Sequence, residues 1–152
     1  HEFSDATLAF TLDLFVFACF TALSFADIRE LTTDEIMDVN GEKWIISKRH
    51  KTGVPFQVKL LDIPLQIIGK YRPFQKDNSV FGEINYWNVC KKLKKVISEC
   101  GINKQISFHC SRHTFGTLAL SKGMPIESVS RVLGHTNIKT TQIYASAPRM
   151  VA

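Results

Sequence analysis

The sequence predicts an α+β domain, mainly α-helical, with one small three-stranded antiparallel sheet. Three observations predict it. Leu8, Leu12, Phe15, Cys19 and Ala22 recur at helical spacing, with further aromatics on the other faces, as in a helix buried at the centre of a domain. Asn40-Gly41 and Thr52-Gly53 then punctuate three short runs of strand character. From Asn85 onward the apolar positions return to helical spacing and are broken by Gly123-Met124-Pro125 and by Gly134.

In chain order, His1-Glu2-Phe3 reads as a cloning remnant, and Ser4 or Asp5 is placed to cap the first helix. Residues 8–26 approach the length of a bilayer crossing. Asp13 sits near the middle of that run and no basic cluster flanks it, so it reads as a buried helix rather than a membrane span. Ser24 to Ile28 opens a second short helix that runs to about Leu31. Residues 36–39, 44–48 and 56–60 are the expected strands, with Arg49 alternating onto the strand face of Lys51. Pro64 is expected to begin a short helix through Leu65, Ile68 and Tyr71. Residues 72–83 form a polar loop with Val80-Phe81 turned back into the core. Residues 85–99 form a helix with Trp87, Val89, Cys90, Leu93, Val96 and Ile97 inside. Lys91, Lys92, Lys94 and Lys95 face outward, either as a solvated face or as contacts to a nucleic-acid backbone.

A chain of 152 residues is one domain by length. Its net charge of +5 favours a polyanionic partner. The four cysteines, at 19, 90, 100 and 110, show neither a CxxC pair nor disulfide spacing, which fits reduced thiols in a cytoplasm. The apolar run near the start lacks the basic flank and cleavage site of a signal peptide.

Residues 108–144, FHCSRHTFGTLALSKGMPIESVSRVLGHTNIKTTQIY, carry the chemistry. His109 and Arg112 are three apart and share a helix face. Ile126, Val129, Val132 and Leu133 mark a short amphipathic helix, Gly134 ends it, and His135 falls on the tight turn that follows. Thr136 or Asn137 can cap one more helix, which delivers Tyr144. This set suits attack on a phosphodiester: tyrosine as nucleophile, arginine gripping the phosphate with two donors, histidines moving protons or donating to oxygens. A metal site at His109, Cys110 and His113 is poorly supported, because the pattern lacks a glutamate and a third ligand.

The same residues closely resemble the catalytic core of the tyrosine recombinases, the phage-integrase family. That family carries H-x-x-R, then L-G-H, then a nucleophilic tyrosine about nine residues later. Here these are His109 to Arg112, Leu133-Gly134-His135 and Tyr144. The resemblance extends over most of the chain. The family's T-G-L-R-x-x-E/D motif stands as Thr21-Ala22-Leu23-Ser24-Phe25-Ala26-Asp27, and its lysine context as Lys51-Thr52-Gly53.

Several expectations follow from the resemblance. The fold would be that of the family's catalytic domain, over residues 4–152, cut from a longer integrase that carries an N-terminal DNA-clamping domain. Tyr144 would form a 3′-phosphotyrosyl link and Lys51 would protonate the leaving 5′-oxygen. His109 would serve as acid/base, while Arg112 and His135 stabilise the transition state. Asp27 would orient the basic residues, and His113 would support the hub from a buried position. DNA is the implied partner, contacted further by Lys48 and the lysines of residues 91–95, with no metal or nucleotide cofactor. The full-length protein would act as a homotetramer on DNA and this piece alone would be a monomer, in a bacterial cytoplasm, encoded by a phage or mobile element.

One position departs from the motif. Ser24 stands where the family's first catalytic arginine belongs, as in some integrases of conjugative transposons. Arg29 is the nearest arginine but lies about 140° further round a helix. Arg49 is ranked slightly ahead of it as the replacement. Two rival readings are a DNA-docking protein that no longer cuts, and a nicking-closing enzyme of the type IB topoisomerase kind.

Overall fold

Asp5 opens the central helix by accepting the Thr7 amide at 2.8 Å, satisfying one of the donors that a helix start leaves free. The computed structural model describes residues 4–145, so the expectations for residues 1–3 and for the segment after Ala145 lie outside the described residues. Helix α1 (Ala6–Thr21) packs against three other helices, and its most buried side chains are Leu14, Phe17, Ala18 and Thr21. Leu12 and Phe15, two members of the helically spaced set, are half-buried. Asp13 faces the third helix, where Lys70 approaches it at 3.0 Å and the Tyr71 hydroxyl donates to it. No helix among the described residues is long and apolar enough to cross a membrane.

Ala22 ends α1 in the left-handed conformation, at φ 63°. A side chain there is strained, and the family motif has glycine at this point. The turn leads directly into α2 (Phe25–Arg29). Ser24 is its N-cap, accepting from the Asp27 amide at 3.2 Å while its own amide donates to Asp27 Oδ2 at 3.3 Å.

The sheet has the order β1-β2-β3, with β1 (Ile36–Val39), β2 (Glu42–Lys48) and β3 (Pro55–Lys59) all antiparallel. Asn40 and Gly41 both have positive φ, as a two-residue hairpin turn needs, and this sets Val39 opposite Glu42. Strand β2 therefore begins two residues before the expected Trp44. Residues 49–54 close the second hairpin, with Arg49 donating its amide to the Val54 carbonyl at 2.8 Å.

Helix α3 (Asp62–Tyr71) starts two residues before Pro64, which sits in its first turn where its missing N–H costs nothing. A 3-10 turn, Arg72–Phe74, opens the following loop, and Val80 and Phe81 return from it into the core. Asn85 caps α4 (Tyr86–Glu99) by accepting from the Asn88 amide at 3.0 Å. Val89, Leu93, Val96 and Ile97 form the inner stripe of α4. Trp87, expected inside, is 77% exposed. It lies two residues before Val89, about 200° away round the helix. Helices α5 (Cys110–Ser121), α6 (Ile126–Leu133) and α7 (Lys139–Ala145) follow. Phe115, Ala119, Val129 and Leu133 form a second small apolar cluster with Ala22, which binds α5 and α6 to the end of α1.

Candidate active site

Two arginines from distant parts of the chain meet at the end of α1. Arg49 Nη1 donates to the Ala22 carbonyl at 3.1 Å, and Arg112 Nη1 donates to the same oxygen at 2.7 Å. Their other arms reach the end of α6: Arg49 Nη2 donates to the Val132 carbonyl and Arg112 Nη2 to the Leu133 carbonyl. The last carbonyls of a helix are unpaired within it and carry the negative end of its dipole, so they are natural acceptors for cations.

Asp27 closes the arrangement. It accepts Arg49 Nη1 at 3.0 Å on one oxygen and the His50 amide at 2.8 Å on the other. Burial works against its charge, but these hydrogen bonds and the guanidinium win, and its carboxyl lies below the usual range. Arg49 is only 7% exposed, and its guanidinium also lies over the Phe56 ring at 4.2 Å from the centroid. Burial disfavours the charge of Arg49, with Asp27 opposing that effect. Arg112 is disfavoured in turn by burial and by the facing Arg49.

Arg49 and Lys51 do not share a strand face, because β2 ends at Lys48 and both belong to the turn. Arg49 folds inward to the hub, while Lys51 stays exposed and borders an open cleft of about 480 Å³. Ser24, Arg29, His109, Ser111 and Arg112 border the same cleft. Arg29 is exposed and paired with Glu30 at 3.2 Å. Ser24 contributes its hydroxyl to the α2 cap and brings no charge to the cleft.

His109, His113 and Tyr144 stand in a row. The His109 and His113 rings are 5.2 Å apart at their centroids, and those of His113 and Tyr144 are 5.5 Å apart, both edge to face. His113 is exposed rather than buried as expected. The Tyr144 ring rests on Gly116 of α5, so closely that a Cβ at Gly116 would fall 2.7 Å from it. Burial pushes the Tyr144 phenol above its ordinary pKa, with Arg112 opposing. His109 is pulled below its ordinary value by burial, then by His113 and Arg112. His135 is lowered by burial, then by Arg112 and Arg49. On its far side His135 Nδ1 lies 2.7 Å from Thr141 Oγ1. Thr141 and Gly116 belong to none of the sequence motifs above, although each lies within two turns of a singled-out residue.

The basic residues of α4 lie apart from this hub. Lys91, Lys94 and Lys95 are exposed and Lys92 is half-buried. Lys94 borders a groove of about 1130 Å³ with Trp87 and Lys104, and Tyr86 and Phe108 line both this groove and the cleft. Lys48 is exposed at the end of β2. No group of three or more His, Cys, Asp or Glu among the described residues is placed to hold a metal ion.

The phage integrase family model matches residues 4–149. The tyrosine recombinase XerA of Saccharolobus solfataricus is 33% identical over 116 residues, which cover 76% of this chain and 39% of that protein. XerD of Listeria monocytogenes is 40% identical over 65 residues, 43% of this chain and 21% of that protein. The chain thus spans well under half the length of these curated relatives. Among solved structures, XerH in a pre-cleavage complex with its difH substrate superposes with a TM-score of 0.76 at 22% identity, over 95% of this chain and 45% of that one. The Tn1549 transposon integrase in complex with circular intermediate DNA gives 0.75 at 16% identity, over 95% and 56%. These likenesses show the same mostly helical fold with its three-stranded sheet. By the match along nearly its whole length, the chain belongs to the phage integrase family.

Proposed function

We propose that this protein cuts and rejoins DNA at specific sites through a covalent tyrosine intermediate, as part of a longer integrase of a mobile element. The observation that carries the proposal is the docking of Tyr144 on its own α5, against Gly116 and His113, one turn from Arg112.

In the reaction, Tyr144 Oη attacks a DNA phosphorus, an O–P bond forms, and the bond from phosphorus to the 5′-oxygen breaks. Lys51, on its exposed turn at the rim of the cleft, supplies the proton to that leaving oxygen. His109 handles the proton of the tyrosine, whose raised pKa makes such help necessary. Arg112 and His135 donate to the phosphate oxygens as negative charge accumulates there. Arg49 supplies the second positive charge that Ser24 cannot, from a position beside Arg112 and fixed by Asp27. The phosphotyrosine conserves the energy of the broken bond, so the reverse attack by a 5′-hydroxyl rejoins the strand.

The partner is double-stranded DNA; the reading is supported by the Tn1549 integrase, solved with circular intermediate DNA, and by XerH, solved with its difH substrate. Lys48 and the lysines of α4 would contact its backbone. The full-length protein would assemble as a homotetramer on DNA and this chain alone would remain a monomer. A bacterial cytoplasm, where the four free thiols stay reduced, is the expected place of action.

The test uses a nicked duplex bearing the junction of the parent element, which traps the covalent product. Wild type and Tyr144→Phe are compared on a denaturing gel, with the full-length parent protein. An adduct that depends on Tyr144 supports the proposal. Binding without any adduct would leave a DNA-docking domain.

A further inference from the structure

His135 directly follows Gly134, whose φ of 74° ends α6, and its ring is turned back toward α7. There its Nδ1 meets the hydroxyl of Thr141 at 2.7 Å. Thr141 is at 0% exposure and is the one buried residue of α7. Tyr144 stands three residues later on the same helix, so the two side chains leave neighbouring parts of one face. We propose that Thr141 is a positioning residue: its hydroxyl donates to Nδ1 of His135, holds the ring as the Nε2–H tautomer, and makes that orientation depend on docking of the helix that carries Tyr144.

A neutral imidazole has one donor and one acceptor, and the partner of one nitrogen decides the role of the other. The charged groups facing His135 are Arg112 from α5 and Arg49 from the β2–β3 turn, both cationic. Together with burial they disfavour an imidazolium in the free site, so the ring that meets an incoming phosphate is the neutral one, with a single N–H to offer. Donating it to the phosphate requires the proton on Nε2 and an acceptor at Nδ1, and the Thr141 hydroxyl is the donor in reach. With the proton on Nδ1 instead, a nitrogen lone pair would face the phosphate oxygens and repel them.

Thr141 and Tyr144 travel together, because both belong to the seven-residue α7. Lifting α7 from α5 and α6 withdraws the nucleophile and the partner of His135 in one movement. A site with an undocked tyrosine therefore also lacks an oriented His135, which guards against attack on the bound phosphate by water.

The proposal rests on the reading of His135 as a phosphate donor, and its test separates the two. Long-range proton–nitrogen NMR of the DNA-free protein reads the tautomer of His135, with His135→Gln to assign the signals. Wild type and Thr141→Ser should show an acceptor Nδ1 and a protonated Nε2, while Thr141→Val should show a mixture or the reverse. On the nicked substrate, Thr141→Val should form adduct about 10–100-fold more slowly at unchanged DNA affinity, as when a supporting hydrogen bond behind a site is removed, with Thr141→Ser within about threefold of wild type. A wild-type tautomer in Thr141→Val would overturn the proposal. So would equal loss in the Val and Ser variants, which would mean packing alone. If Tyr144→Phe still forms adduct, the recombinase reading fails instead, and the NMR result stands on its own.

Discussion

Arg49 and Arg112, 63 positions apart in sequence, donate to a single oxygen, the carbonyl of Ala22, at 3.1 and 2.7 Å. Two guanidinium groups are thereby held side by side against their mutual repulsion. The helix-end carbonyls and Asp27 offset that repulsion before any phosphate arrives.

The pairing of Arg49 with Asp27 gives the first prediction. Arg49→Ala leaves a carboxylate uncompensated at a buried site and should destabilise the fold by about 3–5 kcal/mol in urea melts. Asp27→Asn combined with Arg49→Met should recover much of that stability. It should still cleave about 100–1000-fold more slowly than wild type, the scale of losing a transition-state donor. Arg29→Ala, at an exposed site paired only with Glu30, should stay within about threefold in the same assay.

Ala22 offers a test of backbone strain. Its φ of 63° suits glycine, and the side chain adds only a buried methyl. Ala22→Gly should raise stability by about 1 kcal/mol, measured by the shift of the denaturation midpoint, without altering cleavage.

Gly116 sets where the Tyr144 ring rests. Gly116→Leu should push the Tyr144 ring off α5, so that adduct formation falls by about 100-fold or more, since small misplacements of a reacting group are costly. DNA affinity, followed by gel shift, should be unchanged.

Both site histidines titrate below the ordinary 6.5. Their neutral forms therefore persist as the pH falls through 6.5, and the acid limb of the cleavage profile should lie below that value. The sign for stability is the same. With folded-state pKa values below unfolded ones, the native state keeps this contribution above pH 6.5. It loses it progressively as the pH falls from there through the lowered values. His109→Gln with His135→Gln should flatten the pH dependence of the melting temperature in that window.

Trp87 and Lys94 border a groove that shares Tyr86 and Phe108 with the lining of the cleft. Binding of duplex DNA should quench the exposed indole of Trp87, and Trp87→Phe should remove most of that signal. Lys94→Ala should weaken binding uniformly across sequences and reduce the slope of log affinity against log salt by about 0.9.

Much of the architecture was legible because it is local. Asn40-Gly41 dictates its own hairpin, Gly134 its own helix end, and the stripe of Val89, Leu93, Val96 and Ile97 its own inner face. Trp87 was misplaced because a run rich in apolar residues hides which ones leave the stripe at the first turn. His113 was misplaced for a related reason: its spacing puts it one turn from His109, but spacing does not say which side of α5 meets solvent. The placement of Arg49 was hardest to read, since its acceptors are the carbonyls of Ala22 and Val132, and a main-chain oxygen has no letter in the sequence. Thr141 escaped notice because a buried threonine next to an exposed one looks the same on paper.

That dependence on carbonyls bears on how the site tolerates divergence. Ala22, Val132 and Leu133 serve the two arginines through an atom that every residue type carries. Substitution at these three positions cannot delete the acceptor; only a change in the path of the chain can move it. Neutral drift can therefore rewrite the surrounding letters while the cradle is inherited as geometry, in keeping with a fold shared with XerH and the Tn1549 integrase at 22% and 16% identity.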